Sequence, residues 1–356
     1  MYSSGITFVL IAWTLRLKEK RSHILMKIKE VDWVGAVIFL ASCTALLVAI
    51  SWGGIEFSWS SAATLVPLLV GGLGLGLFVV WEIYCPVQPL VPLSIFSSRS
   101  GAAGYIQITV NGCLLWTLVY YLPLYFEVVK GYSQIVTSVS VFPETLLVAP
   151  IAVVIGIMIR KTGKYRKLLW AGWIFNTLGA GLMINLKANS TIPQWIFINM
   201  VGGLGMGILL PTMQTSVQAA ASDQDMAFAA AMVATLRTLG QAIALPIYGA
   251  IFQSVLKKHL ENTPLQAQAT TLSRDAFQAI LAIKEVQFGP ENTLILVQAF
   301  QQALRFCFVG MVPAAGIGLI ASFFTQELTL DRDLSTEHGI DDSKAWPDKE
   351  SGESSD

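Results

Sequence analysis

Apolar runs about as long as a bilayer is thick recur along most of the chain, separated by short polar segments. A run of ~20 apolar residues crosses the hydrocarbon core as a helix, and a soluble fold rarely needs several of them. The pattern predicts full spans at 33–51, 63–84, 103–126, 135–158, 168–186, 193–215, 227–253 and 300–324, with a short one at 3–16. In lipid, backbone polar groups must be satisfied within each span. The predicted fold class is therefore an all-α polytopic membrane protein. Segment 254–299 is polar but carries apolar residues at helical spacing from Ser273 to Ile283. Ser273 reads as the N-cap of a short helix over the mouth of the bundle.

The loops orient the bundle. Arg16, Lys18, Lys20, Arg21, Lys27 and Lys29 crowd the segment before residue 33, and Arg160, Lys161, Lys164, Arg166 and Lys167 crowd the loop near 163. Both fall on one side if every span crosses once, and the positive-inside rule makes that side cytoplasmic. The opposite loops, 52–62, 127–134 and 187–192, are nearly free of Lys and Arg. The sequon Asn189-Ser190-Thr191 falls outside. Trp52, Trp59, Trp81, Trp173 and Trp195 lie near span ends, where indole rings prefer the interface. The tail 328–356 is acidic and poor in apolar residues, which reads as a disordered cytoplasmic end.

Composition narrows the function classes. The chain of 356 residues is 54% hydrophobic and 13% charged, and its net charge is zero. No global basic field calls for nucleic acid. Cys43, Cys85, Cys113 and Cys307 are far apart and read as packing residues. The start, Met1 to Leu17, lacks a basic region and a small-residue cleavage site, so it reads as a partial span more than a signal peptide. No phosphate loop, metal-ligand spacing or Ser/His/Asp set is present, and His23, His259 and His338 all lie in loops. An enzyme is not expected, and neither a cofactor nor a metal. The glycine clusters at 71–76 and 202–207 have the wrong spacing for a dinucleotide fingerprint. Gly72/Gly76 and Gly203/Gly207 fit small-residue contacts between helices instead.

Ionisable and polar residues inside spans carry more information, because such groups are expensive in lipid unless they face a cavity or a partner. Glu144 follows Pro143 about mid-way along its span. Desolvation disfavours its charged form, which makes it a candidate to bind and release a proton, or else half of a structural pair. Arg237 lies half-way along its span with Gln241 one turn on, on the same face. They read as substrate contacts, as a counter-charge to Glu144, or as a buried hydrogen bond between helices. Arg305 reads as a snorkelling side chain. Gln107 and Asn111 are four apart, followed by Trp116, Thr117, Tyr120 and Tyr121. A filled cavity would explain this stripe, and packing hydrogen bonds are the alternative.

The loop Gly156-Ile157-Met158-Ile159-Arg160-Lys161-Thr162-Gly163-Lys164-Tyr165-Arg166-Lys167 resembles the signature loop of the major facilitator superfamily, with Gly156, Lys161, Gly163 and Lys164 in register. Arg160 occupies the acidic position of that pattern, a departure common in the second-half copy of the loop. Asp32-Trp33-x-Gly35, Trp52-Gly53-Gly54 with Trp59-Ser60, Tyr120-Tyr121-Leu122-Pro123-Leu124-Tyr125-Phe126, Phe142-Pro143-Glu144-Thr145 and Leu236-Arg237-x-x-Gly240-Gln241 resemble the fungal fourteen-span drug:proton antiporters. The resemblance runs from about residue 1 to 327.

It implies the major facilitator fold: two six-span halves with substrate at their interface. Residues 1–17 would be the partial last span of the first half, whose five earlier spans are missing, and 18–32 a basic cytoplasmic loop. Residues 33–84 would be two inserted spans, and 85–327 the second half with the outer loop 254–299. The resemblance implies export of small apolar molecules by proton antiport. Gln107, Asn111, Tyr121, Arg237 and Gln241 would line the cavity, and Glu144 would carry the proton. Gly156, Arg160, Lys161, Gly163, Lys164 and Arg166 would form a gating loop. Expected partners are the lipid bilayer, a small-molecule substrate and protons, in the plasma membrane or, alternatively, the vacuolar membrane. A truncated, non-transporting membrane protein, or a half-transporter needing a partner chain, is the second reading, and import is open to the same fold.

Overall fold

The computed structural model describes residues 32–53, 56–84, 91, 94–222, 225–274 and 276–328. The expected spans at 33–51 and 63–84 form helices α1 (Trp33–Trp52) and α2 (Ala62–Tyr84). Asp32 caps α1 by accepting from the Gly35 amide at 2.9 Å, and it also accepts from the Trp81 indole of α2 at 3.0 and 3.1 Å. One carboxylate thus starts the first helix and pins the end of the second. The contact stripe of α2 is Gly71 and Gly74, whose missing side chains admit Ser42 and Leu46 of α1. Gly72 and Gly76 meet nothing within 4 Å, so the expected Gly72/Gly76 contact is not made. Packing follows the face the neighbour happens to approach, and the spacing alone left that face open.

A short helix α3 (Ser94–Ser97) leads into α4 (Arg99–Leu124), capped by Ser98, which accepts from Gly101 at 2.9 Å. Pro123 ends the regular helix, and Tyr125–Val129 continues as a π turn. Next come α5 (Gln134–Thr162), α6 (Arg166–Met183), α7 (Ile192–Ala220) and α8 (Met226–Leu260). Two short helices, α9 (Ala269–Arg274) and α10 (Ala276–Lys284), precede α11 (Pro290–Phe323). The described residues include seven helices long and apolar enough to cross a membrane. Helix α6, the expected span at 168–186, is not among the seven, because it opens on Arg166 and Lys167 and runs for only 18 residues. It is nonetheless built into the bundle against α7 and α11.

The expected outer loop 254–299 is shorter than the polarity suggested. Helix α8 runs on to Leu260, with Lys257, Lys258 and His259 in its last turn, where cations suit the negative end of the helix dipole. Helix α11 begins at Pro290, whose fixed φ suits a first turn, after Gly289 at φ +85°. Ser273 is not an N-cap. It lies inside α9 and donates to the Thr270 carbonyl at 3.0 Å. The expected short span at 3–16, the basic loop 18–32 up to residue 31 and the tail from 329 lie outside the described residues.

Helix α4 holds the centre. It packs on α8, α11 and α7, while α7 packs on α5 and α6, and the α1–α2 hairpin reaches the bundle through α1 on α8. Trp173 and Trp195, expected near the interface, are fully or nearly fully buried. Trp195 packs edge-on against Phe126, and the Trp173 indole donates to Gln107. Trp52 and Trp59 are exposed as expected. Cys307 is buried, and Cys43 and Cys113 are half-buried free thiols, consistent with packing roles.

Candidate functional site

Two close helix crossings position the polar residues. At the first, α4 meets α8. A side chain at Gly112 would strike the Arg237 carbonyl, and one at Gly240 would strike the Thr109 carbonyl. The absence of Cβ atoms lets the two backbones touch, which brings Asn111 and Arg237 to one crossing. Arg237 is half-buried, and its Nε and Nη2, the two donors of one guanidinium edge, have no hydrogen-bond partner among the described residues. Gln241 lies one turn on, also half-buried. Asn111 is fully buried and donates to the Met206 sulfur at 3.1 Å, leaving its carbonyl oxygen unpartnered. Tyr121 is buried against Phe252, at 5.8 Å between ring centroids, near Gly249.

Gln107 stands apart from this group. It is fully buried, donates to the Ala103 carbonyl at 3.1 Å and the Thr325 hydroxyl at 3.0 Å, and accepts from Trp173 at 2.8 Å. Its amide joins α4 to α6 and to the end of α11. Gln107→Leu is expected to leave the Trp173 donor buried without a partner, costing about 1–3 kcal/mol. Thermal unfolding of the purified chain in detergent checks this, and an unchanged midpoint would mean that the three-way bond carries no weight.

At the second crossing α7 packs on α5 and α6. A side chain at Gly203 would fall 2.5 Å from the Glu144 carbonyl oxygen, and one at Gly207 would meet Ile151 and Val148. The expected Gly203/Gly207 contact is therefore made, onto α5. The neighbouring glycines serve α6: Gly202 faces Gly179, and Gly205 faces Asn176. The six-residue glycine cluster packs two helices from two sides of one turn.

Glu144 is 5% exposed, and its Oε1 lies 3.8 Å from the position a Gly202 Cβ would take. No ion pair to it exists among the described residues, so the expected counter-charge from Arg237 is not realised there. The two residues occupy different crossings. Glu144 also lies nearer the N-terminal end of its helix than the apolar run suggested, because α5 extends to Thr162. Arg305 is exposed on α11.

The loop 156–166 is tethered to the end of α11. Gly163 closes α5 in the left-handed conformation, φ +65°, with its amide on the Ile159 carbonyl at 2.8 Å. Arg160 and Lys161 are exposed in the last turn of α5, and Lys164 is exposed beyond it. Gly156 lies inside α5 with open space beside it. The Arg166 guanidinium stacks 4.7 Å over Trp170 and reaches the Phe323 carbonyl at 3.5 Å. Tyr165 is fully buried and donates to the Gln326 carbonyl at 2.9 Å. Tyr165, Asn176 and Asn199 were not singled out by sequence reasoning. A tyrosine inside a basic loop carries no signal, but an asparagine inside an apolar run does, as Asn111 shows.

A cavity of about 510 Å³ lies between the hairpin and α8, lined by Phe39, Phe78, Phe228, Met232 and Thr235 among others. Its lining is almost entirely apolar.

Comparison with known proteins agrees with this architecture. The family model described as "Fungal trichothecene efflux pump (TRI12)" matches residues 6–287. MFS transporter L2 of a Phoma species is 41% identical over 347 residues, covering 97% of this chain and 58% of that protein. MFS-type transporter gkaD of Penicillium citrinum is 29% identical over 97% of this chain and 60% of its own length. Efflux pump FUS6 of Gibberella fujikuroi is 28% identical over 96% of this chain and 62% of its own length. The chain thus spans about three fifths of the length of the curated relatives it matches. With a multi-pass helical bundle, two glycine-built helix crossings and a family match over residues 6–287, the chain is an integral membrane protein that belongs to the fungal trichothecene efflux pump family of MFS transporters.

Proposed function

We infer that this chain works in proton-coupled export of small, largely apolar molecules such as toxins or secondary metabolites. The family match over residues 6–287 carries the export reading. Glu144, buried in a membrane helix without a cationic partner among the described residues, supports the proton reading. A carboxyl can take up a proton and release it, so its two protonation states can mark two states of a cycle. Helices α4 to α8 and α11 form the second half of the transporter, and α1–α2 are the inserted pair. The transporter sits in the plasma membrane, facing the substrate's exit.

Arg237 and Gln241 are the members of the expected cavity set that remain partly open, and they line the substrate path on α8. Asn111 and Tyr121 support them from α4. The free edge of Arg237 suits an oxygen acceptor on an otherwise apolar substrate, because Nε and Nη2 present two parallel donors. Arg237→Lys keeps the charge but loses that fork. It is expected to slow export of oxygen-bearing substrates more than of hydrocarbon-rich dyes. Equal rates for both classes would remove Arg237 from the substrate path.

The direct test is the purified chain in liposomes with an imposed pH gradient and a fluorescent apolar dye. Dye movement against its own gradient, driven by protons moving down theirs, is the expected result. Dye flux indifferent to the proton gradient would end the antiport reading.

A further inference from the structure

Three buried polar atoms on α5, α6 and α7 have no hydrogen-bond partner among the described residues. They are Thr137 Oγ1, Asn199 Oδ1 and Asn176 Nδ2. Their residues are 5%, 0% and 4% exposed. Two of them, Thr137 and Asn199, lie on or against the face of α5 that carries Glu144. Thr137, Ser140 and Glu144 form a single stripe on α5, at the i, i+3, i+7 spacing of one helix face. Asn199 of α7 donates to the Ser140 carbonyl at 3.4 Å, so it sits between Thr137 and Glu144 in depth. Glu144 faces Gly202 and Gly203, and Asn176 packs against Gly205, one turn further along.

Below Glu144 the seam changes character. The buried α5 positions become Ile155 and Ile159, which cluster with Tyr165, Ile208 and Ala219. With the basic loop at 160–167 in the cytoplasm, the polar stretch opens toward the outer face and the apolar cluster closes the cytoplasmic side. Thr137 lies three residues inside the start of α5, about 5 Å from its outer end.

Unpartnered polar groups in lipid are expensive, and a file of them between two helices is the arrangement that water or a transiently bound proton satisfies. We propose that Thr137 and Asn199, with the Ser140 carbonyl, form a hydrated path that delivers protons to Glu144 from the outer face, sealed from the cytoplasm by the Ile155–Ile159 cluster. This rests on Glu144 as the proton site. Other titratable groups on the elements packed against α5 are few. Helix α7 carries none, and α6 carries Arg166 and Lys167 at its cytoplasmic start. Helix α4 carries Arg99, Tyr105, Cys113, Tyr120 and Tyr121. The π turn carries Tyr125, bonded to the Lys187 carbonyl, and Glu127, paired with Lys284. No cation faces Glu144 from any of them among the described residues.

The test is infrared spectroscopy of the full chain in liposomes at low pH, with Glu144→Gln identifying the carboxyl band of Glu144. The reading is the rate at which that band shifts when water is replaced by heavy water. Asn199→Leu and the near-isosteric Thr137→Val are each expected to slow the exchange by about tenfold or more. Ile159→Val, in the cytoplasmic cluster, is expected to leave it unchanged. Exchange untouched by Thr137→Val, or slowed as much by Ile159→Val, would overturn the path. Failure of Glu144→Gln to alter proton-driven dye transport would instead overturn the coupling reading, and it would leave the exchange result standing.

Discussion

Gly240→Val is expected to abolish accumulation of folded protein. At this crossing α4 and α8 touch backbone to backbone, and a Cβ on residue 240 would overlap the Thr109 carbonyl and come 3.1 Å from the Cys113 amide. Backbone cannot rotate away as a long side chain can, so the helices must separate. Separation also uncovers Gly112, which packs on the Arg237 backbone. Overpacking of a tight core costs about 3 kcal/mol at the upper end of its usual range, and more where backbone must move. Gly72→Val and Gly76→Val on α2 are the matched controls, since nothing lies within 4 Å of either position. Size-exclusion profiles and thermal unfolding in detergent separate the two cases. A monodisperse Gly240→Val with the parent midpoint would show that the α4–α8 crossing is looser than these contacts require.

Glu144→Gln is expected to remove proton dependence from transport. Glutamine keeps the size and the hydrogen-bonding capacity of a protonated carboxyl but cannot ionise, so it holds the site in its neutral form. Carrier exchange that needs no proton should survive, while uphill export should fall to the level of passive exchange. Because no cation neutralises Glu144 among the described residues, the substitution strands no opposite charge, and folding should be unaffected. Dye transport measured across a pH series reads this directly. A pH profile that matches the parent would remove Glu144 from the coupling step.

Much of the fold was legible from periodicity, because the bilayer imposes a length on every apolar segment. The expected spans at 33–51 and 63–84 match α1 and α2 to within a residue or so. The ends of α8 and α11 were less legible. These helices run 35 and 34 residues, about 50 Å each, and their polar outer turns look like loop in a hydropathy profile. The glycine clusters were read correctly as packing, but only coordinates show that Gly71 and Gly74, rather than Gly72 and Gly76, face the neighbour. Trp173 illustrates the same limit. An indole near the end of an apolar run looks interfacial, yet this one donates to Gln107 in the middle of three elements.

Local composition alone marks the chain as a membrane bundle and marks Gln107, Asn111 and Glu144 as polar residues set into apolar spans. Those conclusions depend on local composition and on the solvent, which act on each segment alone. Partnership came from packing between distant segments. It satisfied Gln107 through Trp173 and Thr325, kept Arg237 and Glu144 in separate crossings, and set Asn199 beside the stripe that carries Glu144. Which face of a helix meets which neighbour depends on contacts between residues far apart in the chain, and no local pattern records them.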